Sequence, residues 1–172
     1  LDDFAPGAAE RVARDVQGVR RPGDLVILSL HWGSNWGYDV PREQRALAHR
    51  VIDEAGVDLV YGHSSHHPRP IEVYRDKLIL YGCGDFLNDY EGIRGHESFR
   101  PELSLMYVPE LDAVTGRLLR LALIPLRIHW FRLMRASAGE VGWLQLMLNR
   151  EGGPLGTRVE RQADDSLELN PD

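Results

Sequence analysis

The sequence predicts an α/β fold: a parallel βαβ core, then antiparallel strands and a carboxyl-terminal helix. Three observations carry that reading. Two short apolar runs, "LVILSL" and "VDLVYG", flank a segment with helical periodicity. Alternating strands follow, separated by turn residues. A capped amphipathic stretch comes near the end. With 172 residues the chain is long enough for one domain with its own core, so residues 1–172 are taken as a single domain.

Each element follows from local chemistry. Residues 8–18 carry Val12 and Val16 four apart, which predicts a short amphipathic helix ended by the turn sequence "RRPGD". "LVILSL" (residues 25–30) is a nearly continuous apolar run, the pattern of a strand buried on both faces, and it opens into the loop "HWGSNWG". In the next helix Asp39 is the expected cap and Pro41 falls near the first turn. Ala48, Val51, Ile52 and Ala55 recur at helical spacing, and Gly56 is the stop. "VDLVYG" (residues 57–62) is a second strand, and strand, helix, strand makes a parallel crossover. In "IEVYRDKLILYGCGDF" two strands turn at Arg75 and Asp76, pairing Ile71 and Val73 with Leu78 and Leu80. Residues 88–100 read as irregular. "LSLMYVPEL" and "GRLLRLALIPL" form an antiparallel pair around "DAVTG". Ser137 and Glu140 have capping-box spacing ahead of Val141, Leu144 and Leu148, in a helix expected to end near Gly152. In the tail, residues 156–172, "TRVER" and "SLELN" suit a small hairpin turning at Asp164 and Asp165.

Composition narrows function mainly by exclusion. A net charge of −6 disfavours a general nucleic-acid binder, which needs clustered Lys and Arg, and "RIHWFRLMR" is too apolar and isolated to reverse that. The single cysteine, Cys83, excludes an internal disulfide and multi-cysteine zinc. No apolar run reaches the roughly 18 residues a membrane span requires, and the start lacks the pattern of a secretory signal. Because the chain begins with Leu1, it is expected to be a fragment or a processed chain.

The sharpest chemical signal is histidine. His31 leaves the first strand and His63 and His66 leave the second, so a parallel crossover brings both loops to the carboxyl edge of one sheet, where ligands of open α/β sheets bind. Neutral imidazole is a common ligand for zinc, manganese or iron, and these three side chains make a partial coordination shell. Asp85 and Asp89 are the carboxylates placed to complete it. The competing reading is a polar, imidazole-rich turn, and no Asp-x-His stretch supplies the bridging carboxylate a two-metal hydrolase needs. His49, His96 and His129 read as helix-surface or loop residues. Trp32 and Trp36 either stack on a substrate or belong to the core. Cys83 reads as packing rather than as a nucleophile. Ser64 and Ser65 lack a nucleophile elbow. Arg69 and Lys77 either contact an anion or face solvent.

The ordered set His31-Trp32-Gly33, Gln44-Arg45, Gly62-His63-Ser64-Ser65-His66, Pro70 to Tyr74 and Gly84-Asp85-Phe86 resembles the second half of the poly-γ-glutamate capsule biosynthesis domain of CapA-type proteins. That family is similar to the calcineurin-like metallophosphatases, so the resemblance implies part of a metallophosphatase-like layered α/β sandwich. It further implies His31, His63 and His66 as ligands of divalent metal ions (Mn, Zn or Fe), dinuclear in the full-length protein. Asp85 is a further candidate for the chemistry, and Trp32, Asn35, His67 and Arg69 are candidates for substrate binding. The implied activity is metal-dependent hydrolysis of phosphoester or γ-glutamyl-type bonds in an anionic polymer or phosphoester substrate, at the cell envelope. The alternatives are a non-catalytic assembly or export component and a mononuclear zinc hydrolase using the three histidines alone. Two departures stand out: Asp85 occupies a position where the family commonly has Asn, and Asn35 lies near where it often has Glu. The family's amino-terminal half, with its Gly-Asp strand end, acidic ligand and Asn-Asn-His stretch, has no counterpart in the sequence. The chain is therefore expected to bind metal weakly and to expose a sheet edge through which it associates.

Overall fold

The computed structural model describes residues 7–88 and 93–169; Asp89 lies outside them. Helix α1 (Ala8–Val19) precedes strand β1 (Ile27–His31), helix α2 (Arg42–Ala55) and strand β2 (Leu59–His63). Strands β3 (Ile71–Tyr74) and β4 (Lys77–Leu80) form the hairpin at Arg75 and Asp76. Together β1 to β4 make a mixed sheet in the order β1-β2-β4-β3. Its register is the one alternation demands, with Ile71 opposite Leu80 and Val73 opposite Leu78. Arg75 and Asp76 both have positive φ, 48° and 62°, as a two-residue hairpin with right-handed twist requires.

The second sheet is antiparallel. Strand β5 (Leu103–Leu111) pairs with the long β6 (Leu118–His129), which also pairs with β7 (Arg132–Arg135) and β9 (Leu167–Leu169); β8 (Glu160–Arg161) pairs with β9. Helix α3 (Ala138–Gly152) begins at the expected capping box: the Ser137 backbone N–H donates to Glu140 Oε2 at 2.8 Å. The tail hairpin is part of the core, since Leu167 and Leu169 are buried.

Two hydrophobic cores hold the layers together. On one face of the first sheet, Leu59, Leu78 and Leu80 pack with Leu121, Leu123 and α3 residues Leu144 and Leu148. On the other face, Val60 and Ile79 pack against Ala48, Val51 and Ile52 of α2 and Ala8 and Ala9 of α1. Adjacent residues of β2 and β4 therefore serve opposite cores, as period-two geometry requires.

Two expectations are corrected, and one further element comes from a stretch with no strand or turn reading. Strand β1 is not buried on both faces. It is the sheet edge, with Ile27 61% exposed and Leu30 buried, because among the described residues nothing pairs its outer side. Asp39 does not cap α2. The residue before the helix is Pro41, its φ of −56° already set for helix entry, and Asp39 lies two residues too early. The stretch "RIHWFRLMR" is a hairpin whose two-residue turn is Trp130-Phe131, at φ 50° and 57°. Nothing in a Trp-Phe pair signals a turn, because neither side chain favours the left-handed region.

Candidate functional site

The parallel pairing of β1 and β2 places His31 directly opposite His63, with both residues last in their strands. Their Nδ1 atoms are 3.4 Å apart, and the rings meet edge to face with centroids 5.3 Å apart. Two facing imidazole nitrogens at this distance cannot both carry a proton, so at least one presents a lone pair to the other. The strand pairing continues one step further, with the Trp32 N–H donating to the His63 carbonyl at 3.0 Å.

The loop after β2 folds under the loop after β1. The His66 N–H donates to the Asn35 carbonyl at 3.1 Å, and the Ser64 hydroxyl donates to the Trp32 carbonyl. Ser64 itself sits at φ 146°, a backbone region that favours glycine. The Asp85 carboxylate reaches the His66 ring, with 3.0 Å between Oδ2 and Nδ1, and it also accepts a bond from the Asn88 amide at 3.1 Å. An ionised carboxylate only accepts, so His66 Nδ1 carries the proton and its lone pair lies on Nε2. Hydrogen bonds of this kind orient metal-ligating histidines and raise their basicity. The Asp85 backbone is held in turn by the Ser104 hydroxyl, 2.6 Å from its carbonyl.

An aromatic wall flanks His66. Trp36 lies 5.4 Å from the His66 ring and stacks on His96 at 3.9 Å. Phe99 stacks on His67 at 4.7 Å. His96 and Phe99 come from residues 96–99, far along the chain, in a stretch whose sequence has no helical or strand periodicity.

The other candidates fall into two groups. Asn35 is exposed beside the histidines. Trp32, His67 and Arg69 face inward, at 4%, 0% and 2% exposure. Trp32 stacks on Tyr81 and donates its indole N–H to the Tyr81 carbonyl at 3.2 Å, so it is a core residue. Burial and the neighbouring Arg69 charge push the His67 imidazole down to about 4, which keeps it neutral. Burial pushes the Cys83 thiol up to about 12, away from any nucleophilic role at neutral pH. Lys77 pairs with Asp58 at 2.5 Å and is not a ligand contact at this edge.

Behind the site lies a network that sequence reading missed. Glu72, 2% exposed, accepts bonds from Arg45 at 2.6 and 3.0 Å, from His49 at 3.0 Å and from the Tyr81 hydroxyl at 2.5 Å. His49, expected on a helix surface, also stacks on Tyr74 at 3.7 Å. The one available signal was Arg45 and His49 four apart on a single helix face.

The donor set meets part of what a metal ion requires. Two nitrogens bound to one tetrahedral ion at about 2.0–2.1 Å lie about 3.3–3.4 Å apart, and the His31–His63 pair matches that separation. Among the described residues, however, no group of three or more His, Cys, Asp or Glu is arranged to hold an ion. The residues present thus fit two donors of a shell, not a complete one.

The pattern of the family described as bacterial capsule synthesis protein PGA_cap, whose fold is metallophosphatase-like, matches residues 2–90. The chain is 53% identical over 163 residues to a probable polyglutamine synthesis accessory protein of Mycobacterium tuberculosis, covering 95% of this chain and 43% of that protein. It is 35% identical over 83 residues to the PGA biosynthesis protein CapA of Bacillus subtilis, covering 48% and 22%. It is 35% identical over 75 residues to the capsule biosynthesis protein CapA of Bacillus anthracis, covering 44% and 18%. The chain spans less than half the length of each of these relatives.

Proposed function

Because the chain belongs to the bacterial capsule synthesis protein family, we propose that it acts in the synthesis of an anionic, capsule-type polymer, as part of a metal-dependent hydrolase of phosphoester or γ-glutamyl-type bonds. The observation that carries this reading is the His31–His63 pair, two nitrogen donors 3.4 Å apart at the carboxyl ends of adjacent parallel strands. A bound divalent ion would supply Lewis acidity and an activated water there. The chain's own contribution is positioning. His31 and His63 provide nitrogen donors, and Asp85 fixes the tautomer and direction of His66. The inward-facing Trp32 holds the end of β1 against Tyr81, and Trp36 with His96 walls one side. Further ligands would come from outside the described residues, and the edge of β1 that no described strand pairs is a surface against which such a segment can align.

The test is metal analysis of the intact protein beside its His31→Ala, His63→Ala and Asp85→Asn variants. Loss of bound metal is expected in both alanine variants, and a roughly 10- to 100-fold weaker affinity in Asp85→Asn. Unchanged stoichiometry in both alanine variants overturns the ligand assignment. A second reading, a non-catalytic assembly or export component, is favoured by the description of the Mycobacterium tuberculosis relative as a synthesis accessory protein. Metal-dependent turnover of a chromogenic phosphoester or γ-glutamyl amide, abolished by His63→Ala, would exclude it.

A further inference from the structure

Arg69 is three residues beyond His66, and its guanidinium is buried to 2% exposure. Its Nη2 donates to the Asp39 carbonyl, while Nε and Nη1 have no hydrogen-bond partner among the described residues. Burial disfavours the cation and the Asp39 charge offsets that only in part, and among the described residues no carboxylate forms an ion pair with Arg69. A buried charge left in this state is costly, by several kcal/mol in typical cases. The sequence nevertheless builds a cradle for it. A side chain at Gly33 would come within 2.9 Å of Nη1, and one at Gly82 within 2.7 Å of Arg69 Cδ, so the Arg69 side chain packs directly against the backbone at both positions.

Gln44 completes the arrangement. It is fully buried in α2, and both its amide atoms lack partners among the described residues. The point where a Gly33 side chain would begin lies 3.1 Å from Gln44 Nε2 as well as 2.9 Å from Arg69 Nη1. Arg69 Nη1 and the Gln44 amide, whose Oε1 lies 3.4 Å from the same point, therefore meet beneath a single glycine, all three atoms without a partner among the described residues. Gly33 is itself exposed, and it is the residue through which this buried pair lies next to the surface.

We infer that Arg69 and Gln44 form a receptor for one oxyanion group, a carboxylate or a phosphate, entering at Gly33 beside the histidine-bearing strand ends. A guanidinium excludes cations, and its planar fork matches an oxyanion better than a spherical halide. The Gln44 amide adds a neutral donor that leaves the net charge favourable to an anion. The assignment does not rest on metal binding or hydrolysis at the histidines. If both hold, the site retains the charged group of an anionic substrate next to the reacting bond.

The experiment uses the intact protein in excess chelator, so that its outcome is separate from that of the metal assignment. Melting temperature and calorimetric binding are measured with sodium phosphate, sodium acetate and sodium chloride at equal ionic strength. Phosphate, acetate or both should raise the melting temperature saturably, by about 5–10 °C at a hundredfold excess over Kd, with chloride inactive. A response to one oxyanion and not the other identifies the source of the group. Arg69→Met should remove the response. Gln44→Glu, nearly isosteric, sets a carboxylate beside the guanidinium; it should melt higher than the parent without added anion and gain nothing from oxyanions. Equal effects of chloride and the oxyanions, an undiminished response in Gln44→Glu, or no response in the parent would each overturn the proposal. The last result would assign the donors to internal water or to another segment of the protein.

Discussion

Replacing Glu72 by leucine should cost about 3–5 kcal/mol, the range for removing one member of a buried ion pair. Four donor contacts converge on this carboxylate, three on Oε1 from Arg45 and His49 and one on Oε2 from Tyr81. Hydrogen bonds to a charged group contribute about 1.5–3 kcal/mol each, but they are not additive, and Arg45 is 42% exposed, so its share is screened. What remains uncompensated in the variant is the buried Tyr81 hydroxyl and the Arg45 charge. Glu72→Gln keeps an acceptor and should cost less, about 2 kcal/mol. Urea unfolding of the intact protein, followed by far-ultraviolet circular dichroism and by the fluorescence of Trp32 stacked on Tyr81, measures both. The pH dependence has a definite sign. Burial raises the Glu72 carboxyl, but Arg45, Tyr81 and His49 outweigh it and hold the carboxyl below its ordinary value. A carboxyl depressed in the folded state contributes stability above its unfolded value, about 4.3, and loses it as pH falls through the folded value. The gap between wild type and Glu72→Gln should therefore be constant from pH 7 to about 5.5 and narrow below that. A Glu72→Leu cost under 1 kcal/mol, or a gap that widens on acidification, would refute the network as a stabilising element.

Three further outcomes are expected. Gly62→Ala should destabilise by about 3 kcal/mol or prevent folding, because a Cβ there would meet Trp32 Nε1 at 2.3 Å and the Leu80 carbonyl at 2.5 Å, prising β2 from β4; a melting temperature within two degrees of the parent contradicts this. The double variant Trp130→Asn with Phe131→Gly should stabilise by about 1 kcal/mol per position, since both residues occupy left-handed backbone in a two-residue turn, and differential scanning calorimetry should show the rise. Cys83 should resist iodoacetamide at pH 8 in the native protein and react fully in urea, because burial at 5% exposure suppresses its thiolate.

Local order determined most of the fold. Apolar runs of five or six residues, the helical spacing of Ala48, Val51, Ile52 and Ala55, and the Arg75-Asp76 turn suffice to place β1 to β4 and α2, because strand and helix periods are intrinsic to the backbone. The same logic set His31 and His63 side by side, since a parallel crossover aligns strand ends whatever the side chains are. Sequence failed wherever a residue's setting depended on partners distant along the chain. An apolar strand reads alike at a sheet's centre and at its edge, so the exposure of Ile27 was not legible. His66 and Asp85 are nineteen positions apart, Trp36 and His96 sixty, and only closure of the loops between them makes them neighbours. Arg69 gave the same single letter for a solvated charge and for a buried one. Packing beneath Gly33 and against Gly82 decided between them, because burial belongs to the assembled layers and not to any segment of the chain.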